Sequence, residues 1–246
     1  MTAHHVDHGI RPESGDEAAH AARIAAALDA SFVIHVVCVD PGPNLEARAR
    51  SARQRSLPAN AMTGHTMDDQ AETLLIRLLR GSGGDGLSAI EPGHRHPILA
   101  LRRTETESVC RTLAVEPVRD PSNGSSEMWR NRIRAELIPL AAEIAGRDVV
   151  PIVARSADLL RDESRLLDAL SEHLDPTDAK ALALADPALA RRAVRRWLTR
   201  DGYPPDAASV ERVLAVARGD AVACELPGGR RVERSQQHFR IVDPQR

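Results

Sequence analysis

Lysine is almost missing from this chain: Lys180 is the only one, so nearly all of the positive charge is arginine. Arginine is the better fork for phosphate, but it also accumulates through plain compositional bias, and both readings stand at this point. Net charge is missing too. At −2 there is no global basic field to announce a nucleic-acid partner, and any such binding has to rest on local patches. Cys38, Cys110 and Cys224 lie far apart and form no CxxC pair, which argues against a disulfide framework, a zinc site or an iron–sulfur cluster. No apolar run reaches membrane-spanning length, and no basic start leads into an apolar signal region. A soluble, cytoplasmic protein with no membrane partner is expected. The 246 residues suffice for one large or two small domains.

The densest chemistry runs from Thr63 to Thr73. Ala61 and Met62 read as the end of a buried strand. From Met67 to Arg80 the apolar residues Ala71, Leu74, Leu75, Leu78 and Leu79 recur at helical spacing. A strand, a short turn and a helix follow, with His65 at the carboxyl end of the strand, the edge where open α/β sheets bind ligands. Asp69 and Glu72, three apart, share a helical face with Asp68 near the first turn. Clustered oxygens of this kind suit Mg²⁺, and they suit a substrate amine equally well. Capping offers a third reading: Thr66 followed by Asp69 has the form of a capping box, and acids in a first turn favour the helix dipole. Capping explains neither His65 nor Glu72. A zinc helix wants a second His four residues on, and position 69 is Asp.

Strand and helix alternate around this stretch. Residues 3–6 read as a strand, Ser14 caps a helix to about Leu28, and the β-branched run from Phe32 to Val39 reads as a strand covered on both faces. Asn44 caps a short helix to Arg53, Pro97-Ile98-Leu99 forms a short strand, and Thr104 caps a helix to about Leu113. Gly81-Ser82-Gly83-Gly84-Asp85-Gly86 leaves a helix rather than a strand, so a C-terminal cap and a mobile loop fit it better than a phosphate-binding loop. A helix opens at Trp129-Arg130-Asn131-Arg132-Ile133-Arg134, with Ile133, Leu137, Ile138 and Leu140 as its inner stripe. This alternation is that of an α/β domain, a parallel sheet flanked by helices. Beyond a boundary at about 145, helices dominate (roughly 149–173, 187–200 and 206–218), with closing strands at 221–225, 230–234 and 238–242. Arg191, Arg192, Arg195 and Arg196 form two i,i+4 rows, either a solvated face or a contact to an RNA backbone.

Val6-Asp7-His8-Gly9-Ile10-Arg11-Pro12, Asn44-Leu45-Glu46-Ala47 with Arg50 and Arg53, Gly64-His65-Thr66 with Asp68 to Thr73, Arg77 to Gly81, Asp120-Pro121-Ser122-Asn123 and Arg130 to Arg134 follow one another along the chain. In that order they resemble the tRNA(Ile)-lysidine synthase family of the N-type ATP pyrophosphatases. The last hundred residues resemble, more loosely, that family's helical substrate-binding region. The resemblance implies a HUP-like (adenine nucleotide alpha hydrolase-like) domain over 1–145 and a tRNA substrate-binding domain over 146–246. It implies a ligase that uses ATP and Mg²⁺ to adenylate the wobble cytidine of tRNA(Ile), after which the amine of free L-lysine displaces AMP. Implied site residues are His65, Asp69, Glu72 and Arg132 for catalysis, Arg50, Arg132 and Arg134 for the nucleotide, and Asp69 and Glu72 for the metal. Ion pairing with Glu46 or Glu136 is the structural alternative for the arginines. The family opens with a strand and an SGGxDS loop that cradles pyrophosphate, and this chain begins after that point. A truncated start or a degenerate copy is therefore expected, with very weak or absent ATP turnover from residues 1–246. The alternative function is a catalytically impaired tRNA-binding remnant. A related thiolation enzyme is disfavoured by the lack of paired cysteines.

Overall fold

The computed structural model of the chain describes residues 1–7, 14–38, 42, 45–117, 129–199 and 204–243. The motif segments at 8–12, Asn44 and 120–123 lie outside the described residues. The chain divides into two compact units, Met1–Ala157 and Asp158–Arg246.

The first unit opens as a βαβ unit. Strand β1 (Thr2–Asp7) pairs in parallel with β2 (Ser31–Val36), from Thr2 opposite Ser31 to Asp7 opposite Val36, and helix α1 (Ser14–Ala27) connects them. Ala18 and Ala25, two helical turns apart, are the buried residues of α1. The expectation that β2 is covered on both faces is corrected: Val33, Ile34 and Val36 are 39%, 46% and 76% exposed. β-branched composition reports strand propensity, whereas cover depends on which other elements pack there.

Helix α2 (Leu45–Ser56) precedes an irregular stretch where a strand was expected. Residues 61–66 form no ladder; single bonds hold them, the Thr63 N–H donating to Arg95 O at 2.8 Å and the Met67 N–H to Leu101 O at 2.8 Å. Pro97-Ile98-Leu99 is also a run of turns rather than a strand, as fits a proline that has no N–H for a ladder. Helix α3 (Met67–Leu79) starts at the expected capping box, the Thr66 N–H donating to Asp69 Oδ2 at 2.8 Å. It ends with Gly81 in the left-handed region (φ 75°).

The glycine-rich stretch beyond is not a loose loop. It forms a short helix, α4 (Gly84–Leu87), tied back to α3 by Arg77, whose Nη1 donates to Gly86 O (2.7 Å) and Ala89 O (3.0 Å). Gln70 clamps the next turn through both ends of its amide, donating to Ile90 O (3.1 Å) and accepting from Ile90 N (2.7 Å). Helix α5 is Arg103–Thr112. Helix α6 (Trp129–Arg132) runs through a wide π turn at Ile133–Leu137 into α7 (Ile138–Ala145). Pro139 has no N–H for Ala135 and its ring crowds that carbonyl, so the turn before it widens. The extra residue rotates the succeeding helical turns by about 100°. That rotation breaks the expected stripe: Ile133 is buried, whereas Leu140 is 51% exposed.

Helix α8 (Val150–Ser171) spans the division between the units. The second unit continues with α9 (Ala179–Leu184), α10 (Pro187–Leu198) and α11 (Ala207–Arg218). Asp178, Asp186 and Asp206 cap these helices by accepting backbone N–H groups. Strands β3 (Ala223–Leu226), β4 (Arg230–Ser235) and β5 (His238–Val242) form an antiparallel sheet, the first two joined by a 3₁₀ turn at Pro227–Gly229. Val194, Val213, Val216, Val232 and Phe239 lie in the core between these helices and the sheet. No helix among the described residues is long and apolar enough to cross a membrane.

Candidate active site

The acidic residues at the start of α3 are met by arginines from three other elements: α5, α6 and the π turn that follows α6. Glu72 is fully buried. Arg134, in the π turn, grips it with both arms of its fork, Nε to Oε1 at 2.7 Å and Nη2 to Oε2 at 3.1 Å. Arg103, at the start of α5, donates to Oε1 at 3.1 Å, and Arg130 Nε lies 3.5 Å from Oε2. A buried carboxylate without partners costs several kcal/mol, roughly, so these forks are what allow Glu72 inside. The pairing with Glu72 holds the Arg134 guanidinium above its ordinary value against the opposing effect of burial.

Asp68 and Asp69 play separate parts. Asp68 accepts both Nε and Nη2 of Arg102 at 3.2 Å and the backbone N–H of Arg103 at 2.7 Å, so it anchors the amino end of α5. Burial pushes the Asp68 carboxyl up, but Arg102 and the Arg103 amide outweigh it and hold the group below the ordinary 3.8. Arg102 also pairs with Asp148. Asp69 commits Oδ2 to Thr66, accepting from its N–H and its hydroxyl. Asp69 Oδ1 faces Arg103 Nη2 at 3.5 Å.

Beside this node opens a cleft of about 690 Å³. Among the described residues its charged lining is Arg53, Arg77, Arg80, Arg95 and Arg130 against the carboxylate of Glu91. Arg80 sits over the Trp129 ring, 5.5 Å from its centroid, which holds both at the rim. Arg130 belongs to the node and the cleft at once, its Nη2 donating to Thr73 Oγ1 at 3.2 Å while its Nε faces Glu72. Thr63, His65 and His96 form another part of the wall. Five guanidiniums in one concavity fit a polyphosphate, since each offers forked N–H donors to phosphate oxygens.

The expected site residues divide accordingly. His65, Asp69, Glu72 and Arg134 come together at the node and the cleft wall. Arg132 does not join them: it is exposed and pairs with Glu136 one turn on, at 2.8 Å. That Glu136 pair raises the Arg132 guanidinium and lowers the Glu136 carboxyl. Arg50 lies in α2, and its side chain is outside the described residues. A divalent cation does not fit between Asp69 and Glu72 as they stand. Both Glu72 oxygens already accept from guanidiniums and one Asp69 oxygen closes the capping box. No group of three or more metal-ligating side chains gathers among the described residues.

Arg103, Thr63 and His96 are the functional candidates that sequence reasoning passed over. The Arg102-Arg103 pair directly before a capped helix was the one available signal for Arg103. Nothing along the chain announces that Thr63 and His96 meet. In the second unit, Arg191 pairs with Glu211 at 2.6 Å, Arg192 pairs with Asp168, and Arg196 donates to Ser171 Oγ at 2.8 Å. Much of that arginine face is thus engaged within its own unit.

Residues 1–141 match the PP-loop domain family and residues 178–239 match the TilS substrate binding domain family. The chain is 38% identical over 252 residues to a tRNA(Ile)-lysidine synthase of Mycolicibacterium paratuberculosis, an alignment covering 93% of this chain and 78% of that one. It is 38% identical over 250 residues to one of Nocardia farcinica, covering 92% and 79%, respectively. With one of Rhodococcus jostii the identity is 39% over 213 residues, covering 80% of this chain and 66% of that protein's length.

Proposed function

This chain belongs to the tRNA(Ile)-lysidine synthase family, and from that premise we propose that it is a ligase joining free L-lysine to the wobble cytidine of tRNA(Ile) with consumption of ATP. In the first step the ring carbonyl oxygen of the cytidine attacks the α-phosphorus of ATP and pyrophosphate leaves. In the second, the amine of lysine attacks the activated carbon, loses a proton, and AMP departs with the oxygen. Both steps move negative charge onto phosphate oxygens, so fixed cations facing them lower the barriers.

The arrangement that supports this best is the junction at Arg130, where a cleft lined by five guanidiniums touches the acidic turn. The triphosphate takes the guanidinium wall. Asp69, with Oδ1 outside the capping box, orients the lysine amine, and His65 addresses the base from the cleft wall. Glu72 holds Arg103, Arg130 and Arg134 in place. Arg132 is exposed enough to exchange Glu136 for a phosphate, and Arg50 remains a phosphate ligand on the strength of the family resemblance. The second unit supplies the remaining tRNA contacts.

A second reading, a tRNA-binding remnant of the same family, is favoured by the saturation of Glu72 with guanidiniums, which leaves the acidic turn few oxygens for lysine or Mg²⁺. One experiment separates them: residues 1–246 are incubated with ATP, lysine and a tRNA(Ile) transcript, and both binding and AMP release are measured. Binding that weakens steeply with salt, with AMP release that is very slow, as expected of residues 1–246, yet dependent on both tRNA(Ile) and lysine, is the expected result. Binding without AMP release selects the remnant, and no binding at any salt sinks both.

A further inference from the structure

Thr63 and two histidines meet in the cleft wall. Thr63 Oγ1 lies 2.7 Å from Nδ1 of His65 and 2.8 Å from Nδ1 of His96. The two Nδ1 atoms are 3.3 Å apart, and the rings meet edge to face with centroids 5.0 Å apart. A hydroxyl has a single proton, so it can donate to one of these nitrogens only; the other nitrogen must carry a hydrogen and donate to the oxygen. The competing acceptor, Arg95 O, is farther away at 3.4 Å. Were the hydroxyl turned to it, both nitrogens would have to carry hydrogens and would confront each other N–H to N–H. The contact therefore demands opposite states at the two Nδ1 atoms.

We propose that the Thr63 hydroxyl couples His65 and His96 into a proton relay, with His96 a positioning residue that sets the tautomer of His65. The proton inventory closes. His65, with its hydrogen on Nδ1, has a deprotonated Nε2 that takes a proton. Its Nδ1 hydrogen then passes to Thr63 Oγ1, whose own hydrogen passes to Nδ1 of His96. The hydroxyl is restored, His65 returns to neutral as its other tautomer, and His96 carries the charge. Under the proposed ligase chemistry, on which the choice of proton donor rests, the proton comes from the attacking lysine amine. The other charged groups lining the cleft are the guanidiniums of Arg53, Arg77, Arg80, Arg95 and Arg130, which stay protonated, and the Glu91 carboxyl.

The test is nuclear magnetic resonance of the full chain labelled with ¹⁵N-histidine, followed through pH, with His65→Gln and His96→Gln used to assign the two rings. The relay requires one ring to be mainly the Nδ1–H tautomer and the other mainly Nε2–H. It also requires the pair to titrate in two steps separated by about one pH unit or more. Thr63→Ser keeps the hydroxyl and should preserve this pattern; Thr63→Val removes the shared hydroxyl and should change the tautomer populations of both rings, whose charges still interact across 3.3 Å. Identical tautomers in the unsubstituted chain, or tautomer populations that Thr63→Val leaves unchanged, overturn the relay. These readouts need no substrate, so they stand or fall apart from the ligase assignment. In the lysine ligation assay, His96→Gln should lower kcat by roughly a hundredfold, within the range for acid–base groups. It should also shift the pH profile while leaving KM for ATP unchanged; an unaltered kcat and pH profile removes His96 from the relay.

Discussion

Around α10 and α11 the buried side chains are alanine, valine and leucine with the single exception of Ser209, closed off by Val232 and Phe239 of the small sheet; around α3 they include Thr66, Gln70, Glu72 and Asn131. The second unit is thus held mainly by area removed from water, a force without direction. The α3 region is held by groups that must find particular partners, and it has them: Glu72 in three guanidiniums, Gln70 in the Ile90 peptide. An apolar core tolerates exchange of one shape for another of like volume. A polar one does not, which is what a site needing fixed charges requires.

The sharpest way to break this contrast is Glu72→Ala. It leaves the guanidiniums of Arg103, Arg130 and Arg134 clustered with only the Asp69 carboxylate beside Arg103, and it should destabilise the first unit by about 3–5 kcal/mol, read as a lowered urea midpoint for that unit. Leu214→Ala, in the apolar interior, should cost about 2–5 kcal/mol through lost transfer energy and a cavity. A hydrophobic dye or a xenon-soaked crystal would then find a void there, whereas Glu72→Ala should create none that binds apolar probes. Smaller effects sharpen the comparison. Asp206→Ala removes a helix cap and should cost about 1 kcal/mol with no effect on lysine ligation. Asp69→Ala loses a comparable cap but should abolish ligation; ligation at an unchanged rate would remove Asp69 from the site.

Acid should separate the units as well. The Asp68 carboxyl is harder to protonate in the folded chain than in the unfolded one, so its pairing stabilises the first unit above the unfolded value near 3.8. That share is lost as pH falls through the lower folded value. Asp68→Asn should therefore be less stable than the parent at pH 7, with the two urea midpoints converging below about pH 4.

The elements that could be read from the sequence were those carrying redundant local signals. Helix α3 has its cap, its acidic turn and its apolar period, and all three agree. The βαβ opening and the change to helices with a small closing sheet were legible for the same reason. What failed had one signal or none. Ala61 and Met62 looked like a strand end because they are apolar, but no ladder partner exists for them among the described residues. Helix α9 is six residues long and leaves too few turns for a period to show. The stripe beyond Ile133 was lost to one residue of π turn. At the site, Asp69, Glu72 and Arg134 could be picked out by chemical type, but Arg132 could not be told from Arg134, since the two differ only in which way a helix turns them. The meeting of Thr63 with His96, 33 positions apart, is a product of the fold alone.

The cleft's charged donors are all guanidinium, and the single lysine of the chain, Lys180, lies in the other unit. A guanidinium holds its proton at every physiological pH and so keeps no lone pair for attack. The guanidiniums that line the cleft therefore offer positive charge without a nucleophilic lone pair, so the carbon that the proposed adenylation would activate would find no side-chain primary amine among them.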